Sequence, residues 1–213
     1  MEKVVDFINV NRDRYIDEMK RYLAIPSISA LPEHKGDVRK CAEWTRDEMS
    51  RIGLQNCRLE DTPGHPIVYG EWLNAPGAPT ILFYGHYDVQ PVDPLNLWTS
   101  PPFEARLVEQ APYKKVLIGR GATNSKGPQM AQLNAFRAIK AVNGKLPVNL
   151  IVVAEGDEER MDIGLRKFVK DHPELIKDAD VMLRFGGQGN SGSAGYGGGS
   201  EGCVYVELTT SGT

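Results

Sequence analysis

Apolar side chains never run for the roughly 18 positions that a membrane-spanning helix needs, and no basic excess marks a nucleic-acid surface. The opening Met1-Glu2-Lys3-Val4-Val5-Asp6 lacks the apolar core of a signal peptide, so the expected location is cytoplasmic, with neither membrane nor nucleic acid as partner. Cysteine is scarce: Cys41, Cys57 and Cys203 are odd in number and far apart. They form neither a CxxC zinc pair nor a disulfide framework and are expected to be reduced thiols without an assigned role. What remains is 41% hydrophobic and 25% charged, with a net charge of -3 over 213 residues, which fits one large or two small globular domains.

The apolar pattern begins helical. Val5, Ile8, Tyr15, Met19 and Leu23 fall near one stripe, and Val38, Cys41, Trp44, Met49 and Ile52 on a second, ended by Pro26 and Gly53. Strand-like runs follow at 67–72, 80–85, 115–118, 148–154 and 181–185, with helical stretches at 127–141 and 162–170. Strands alternating with helices predict an α/β layered sheet, whose ligand crevice lies beyond the carboxyl ends of its strands.

Chemistry gathers after three of these strands. The run Ile81-Leu82-Phe83-Tyr84-Gly85-His86-Tyr87-Asp88-Val89-Gln90-Pro91 ends by presenting a histidine and an acid two residues apart. Side chains of a strand repeat every two residues, so His86 and Asp88 point the same way. If one ring nitrogen binds a metal, the carboxylate can take the other N–H and fix the tautomer. A lone histidine at a strand end is also read as a structural residue. The second segment, Gly119-Arg120-Gly121-Ala122-Thr123-Asn124-Ser125-Lys126-Gly127, has three glycines for a sharp turn before a helix, but no GK[ST] sequence for a phosphate loop. The third, Glu155-Gly156-Asp157-Glu158-Glu159, is either a solvated acidic turn or a pair of carboxylates with separate tasks, one on a cation and one on a proton.

In this order and at these separations the three segments resemble the dinuclear-zinc metallopeptidase family of aminoacylases, carnosinase-type dipeptidases, acetylornithine deacetylases and succinyl-diaminopimelate desuccinylases. The likeness runs from about Tyr22 to Leu183, includes Trp98 with Pro101-Pro102-Phe103, and resumes at Gly202–Leu208. The runs His86–Pro91 and Gly144-Lys145-Leu146-Pro147-Val148 are most similar to the carnosinase-type branch. The resemblance implies a three-layer α/β/α domain with a mostly parallel mixed sheet, two zinc ions, and hydrolysis of a dipeptide or N-acyl amino acid. It further implies His86 and Glu159 as metal ligands, position 124 as the residue bridging both metals, Asp88 as partner of His86, Glu158 as general base, and a cis peptide between Asn124 and Ser125.

Several positions depart from that pattern. The bridging position holds Asn124, which supplies no negative charge between two dications. A further acidic ligand is expected after the strand 181–185, where Gly186-Gly187 stands, and no Asp or Glu occurs from Val181 until Glu201. Arg160 is expected to compete with a metal for Glu159, and Asp162 to cap the next helix. The family's last metal histidine and its lid domain lie beyond Thr213, so the expectation is a truncated catalytic domain over 1–185, a Gly/Ser-rich linker or loop over 186–202 and a returning strand over 203–213. Zinc binding is expected to be weak or absent. Exposed apolar surface is expected where later strands would pack, favouring self-association or a complementing chain.

Other candidates are assigned no role. Gly187-Gln188-Gly189-Asn190-Ser191-Gly192 spells GxGxxG, but more glycine and then a strand follow, rather than the helix a dinucleotide requires. His34, His65 and His172 are expected at the surface, and Lys126 in solvent.

Overall fold

A computed structural model describes residues 1–184, 206 and 208–212. The linker expected over 186–202, the acidic-ligand position after 181–185 and most of the returning strand lie outside them.

The first helical stripe is two helices, α1 (Glu2–Val10) and α2 (Arg12–Leu23), separated at Asn11, whose side-chain amide donates back to the Phe7 carbonyl at 2.8 Å. Helix α3 (Lys35–Arg51) follows, then β1 (Gln55–Glu60), β2 (Ile67–Trp72), β3 (Thr80–His86), β4 (Arg106–Gln110) and β5 (Tyr113–Ile118). Helix α4 (Lys126–Asn143), β6 (Asn149–Glu155), α5 (Ile163–Asp171) and β7 (Val181–Arg184) complete the described elements. Strands β1 and β4 are absent from the pattern reading, because Gln55-Asn56-Cys57-Arg58-Leu59-Glu60 and Arg106-Leu107-Val108-Glu109-Gln110 hide short edge pairings behind polar residues.

Five strands form one sheet in the order β1-β2-β6-β3-β7, and β4 and β5 form a separate hairpin. Strand β6 pairs parallel with β3 and antiparallel with β2, while β3 pairs parallel with β7. Since β1 is antiparallel to β2, every strand but β2 runs the same way, which makes the sheet mixed and mostly parallel.

Strand β6 shows why this sheet has two covered faces. Leu150, Val152 and Ala154 enter one core with Met130 and Leu133 of α4 and Met49 of α3, whereas Ile151 and Val153 enter a second with Phe168 of α5. Alternate side chains of one fully buried strand thus fix helices on opposite sides, giving the α/β/α layering. Fully burying each of Leu150, Ile151, Val152 and Val153 contributes about 1.5–3 kcal/mol.

The loop into α4 requires glycine at two places. Gly121 has φ +87, and a Cβ on Gly127 would lie 1.9 Å from the Ala122 carbonyl oxygen. Lys126, expected in solvent, is instead fully buried, its ammonium donating to the carbonyls of Tyr22 at 3.1 Å and Ile25 at 2.7 Å. The backbone turn after α2 has carbonyls to satisfy inside the protein, and the lysine reaches them.

Candidate metal centre

Parallel pairing of β3 with β6 places His86 directly beside Glu155, so the chemistry-bearing loops leave the sheet side by side. His86 is buried, and its Nδ1 faces Asp88 Oδ1 at 3.1 Å. Asp88 is held in turn: Ser29 Oγ donates to its Oδ2 at 2.6 Å, and the Glu159 backbone N–H donates to the same oxygen at 3.1 Å. A carboxylate fixed by two donors orients the imidazole and leaves Nε2 directed toward the acidic loop. Nε2 lies 3.3 Å from Asn124 Oδ1 and 3.7 Å from Glu158 Oε2.

Around that nitrogen the three segments meet. Ligand atoms of His86, Glu158 and Glu159 all lie within 4.8 Å of one another, in the one such group among the described residues. Asn124 Nδ2 donates to Glu159 Oε1 at 2.8 Å, and Gln90 donates to Glu159 Oε2. Arg184 donates to Glu158 Oε1 at 2.6 Å. The Asn124–Ser125 peptide is cis, as the resemblance implies.

Burial opposes protonation of His86, but Asp88, Glu158 and Glu159 outweigh it and hold the imidazole above its ordinary range. Burial pushes Glu159 up, with the neighbouring Glu158 charge adding to it and the Gln90 hydrogen bond opposing. Glu155 is fully buried and desolvation raises its carboxyl to about 8, while Tyr84 donates to one of its oxygens. Its other oxygen has no hydrogen-bond partner among the described residues.

Several expectations need correction. His65 is buried rather than superficial: its backbone N–H donates to Asp157 Oδ2, and its Nε2 lies 3.3 Å from the Ser29 carbonyl. Arg160 pairs with Asp157 instead, its Nη1 donating to Oδ1 at 3.4 Å. Asp162 stands at the N-cap of α5 but makes no side-chain capping bond, since its backbone is left-handed, with φ 57. Sequence reasoning passed over Ser29, Gln90 and Arg184. Gln90 was within reach of the two-residue period that links His86 to Asp88, whereas nothing local marked Ser29 or Arg184.

The donor set decides how a metal fits. One imidazole nitrogen and the Glu159 carboxylate, with the Glu158 carboxylate close by, suit a single divalent ion such as zinc. A second ion needs a bridging carboxylate, and Asn124 offers a neutral amide whose N–H already points at Glu159. Among the described residues the site fits one ion and not two.

A layered α/β scaffold with a histidine, an aligning aspartate and paired glutamates beyond the strand ends defines the metallopeptidase class. Residues 82–199 match peptidase family M20/M25/M40, and the chain belongs to that family. It is 32% identical over 195 residues to the Cys-Gly metallodipeptidase DUG1 of Candida albicans, covering 85% of this chain and 40% of that protein. It is 30% identical over 196 residues to human Beta-Ala-His dipeptidase, covering 86% and 38%. Among solved structures, the dipeptidase Dug1p of Saccharomyces cerevisiae superposes with a TM-score of 0.76 at 26% identity, covering 85% of this chain and 40% of that one. Human carnosine dipeptidase 1 gives 0.74 at 30%, with the same coverage. The chain therefore spans about 40% of the length of the curated relatives it matches.

Proposed function

We propose that this chain forms part of the catalytic domain of a zinc-dependent hydrolase of dipeptides or N-acyl amino acids, with hydrolysis impaired by the side chains it carries. The supporting observation is the convergence of His86, Glu158 and Glu159 at the carboxyl ends of β3 and β6. The relatives named above are dipeptidases of Cys-Gly and Beta-Ala-His, so a short substrate with one scissile amide is the class to test. When bound, zinc supplies a Lewis acid for the amide carbonyl and lowers the pKa of its water toward about 7.

The chain's own residues divide the remaining work. His86 and Glu159 would hold the ion, and Asp88 retains the Nδ1 proton so that His86 presents Nε2. Glu158 moves the proton from water to the leaving amine, its Oε2 on the His86 side and its Oε1 fixed by Arg184. Asn124 is the impairment: it replaces an anion with a hydrogen-bond donor to the very carboxylate that must bind metal. The same residue favours a second reading, a non-catalytic binding or assembly module. The exposed Val181 and Met182 on β7 support association with another copy or a complementing chain. The cytoplasmic assignment stays with this reading; no helix among the described residues is long and apolar enough to cross a membrane.

Zinc titration by calorimetry, together with a dipeptide hydrolysis panel, tests the proposal. Uptake at micromolar zinc with measurable turnover upholds the hydrolase, and Asn124→Asp strengthens both. If neither the chain nor that variant takes up zinc, the hydrolase reading fails and the inert module stands.

A further inference from the structure

We propose that Arg184 is a fixed counter-ion of the centre, neutralising Glu158, so that the site is charged for one divalent ion. This rests on the metal-centre reading of His86, Glu158 and Glu159.

The sheet positions the guanidinium. Strand β7 pairs with β3 so that Arg184 sits opposite Tyr84, two residues before His86 on the neighbouring strand. From there the side chain crosses the Tyr84 ring, 5.7 Å from its centroid, and donates to Glu158 Oε1 at 2.6 Å. The cation–π contact and the charge-assisted hydrogen bond act on one planar group, an arrangement that arginine fits and lysine fits less well. One oxygen of Glu158 is thereby committed, while Oε2 stays 3.7 Å from His86 Nε2.

The charge balance follows. Asp88, Glu158 and Glu159 surround His86, and Asp157 lies outside the balance because Arg160 already pairs with it. Among the described residues, three carboxylates against one guanidinium leave two negative charges. One divalent ion cancels them, and a second would leave an excess of positive charge in a partly buried site, which is unfavourable. Asn124 and Arg184 thus act together, one withholding an anion and the other supplying a cation. Arg184 is half-exposed, so screening limits its effect on affinity to about tenfold.

The test combines zinc calorimetry with melting of the metal-free protein, on Arg184→Met, Arg184→Lys, Glu158→Gln and the double variant Arg184→Met/Glu158→Gln. The expected results are one zinc per chain, about tenfold tighter binding in Arg184→Met, and near-native affinity in Arg184→Lys. Arg184→Met should lower the metal-free melting temperature by about 2–4 °C, and should do so no longer once Glu158→Gln is present. Zinc uptake unchanged or weakened in Arg184→Met, with melting effects that simply add, would overturn the counter-ion and leave the metal centre intact. Absence of uptake in every variant, with melting effects that still couple, would uphold the pairing and overturn the metal reading.

Discussion

The molecule contains two clusters of charge, built from the same side chains to opposite ends. In the helical layer, Arg137 of α4 bonds Glu18 of α2 at 2.6 Å and also bonds Glu48 of α3, while Arg14 and Arg51 reach the same two carboxylates from outside. There each buried acid has a cation, and the cluster ties three helices together without needing a ligand. At the carboxyl ends of β3 and β6 the acids among the described residues outnumber the cations, and His86 turns Nε2 toward them. A matched cluster acts as a fastening. An unmatched one retains its desolvation cost, and this is what marks it as a candidate site.

The sharpest way to break that contrast is Arg137→Met. It leaves Glu18 and Glu48 buried and unpaired from the inside, and should cost about 3–5 kcal/mol in urea unfolding while leaving zinc affinity unaltered in the fraction that stays folded. Asp88→Asn is the converse. It removes the anion that holds the His86 Nδ1 proton and should lower zinc affinity by about 10–100-fold, measured in an Asn124→Asp background where uptake is stronger. If Asp88→Asn changed stability alone, or Arg137→Met changed affinity, the division between fastening and site would collapse.

How much of this was legible beforehand depended on whether the signal was local. Period-two alternation led from Ile81 to His86 and Asp88, and the buried run before Glu155 placed the acidic loop beyond the sheet, because both follow from strand geometry alone. The helix split at Asn11 and the short strands β1 and β4 were not legible, since polar edge residues give no period. The shell around the centre was hidden for another reason. Ser29 reaches Asp88 across 59 positions and Arg184 reaches Glu158 across 26, so each partner was fixed by topology rather than by any neighbouring residue. Lys126 and His65 were misplaced in solvent on the same account, because their burial depends on where α2 and the loop around Ser29 come to rest.

A smaller effect tests whether strain is confined to the site. The Glu155 carboxyl is raised to about 8 from an ordinary 4.5, so between those values the folded chain holds a proton that the unfolded chain has released. Stability from this group is complete below about pH 4.5 and is lost as pH climbs through about 8, with a slope no steeper than about 1.4 kcal/mol per pH unit. Glu155→Gln, which mimics the protonated form, should flatten the fall between pH 6 and pH 8 in melting curves taken at constant salt (about one proton's worth). A fall that persists in Glu155→Gln would assign it to another group.

The smallest effect concerns Arg160, where sequence and structure part company. On sequence it is a cation adjacent to a metal ligand and should weaken zinc binding. In the folded chain its Nη1 faces Asp157 Oδ1 at 3.4 Å, and Asp157 also receives the His65 backbone N–H. That arginine therefore belongs to the matched kind of charge, a partner for a buried acid, although it lies one residue from the unmatched kind. Its side chain is more than one-third exposed, so Arg160→Ser should cost less than about 1 kcal/mol in stability and change zinc affinity by no more than about twofold. Zinc affinity rising about tenfold in calorimetry, as expected for Arg184→Met, would place Arg160 within reach of Glu159 and restore the reading taken from sequence.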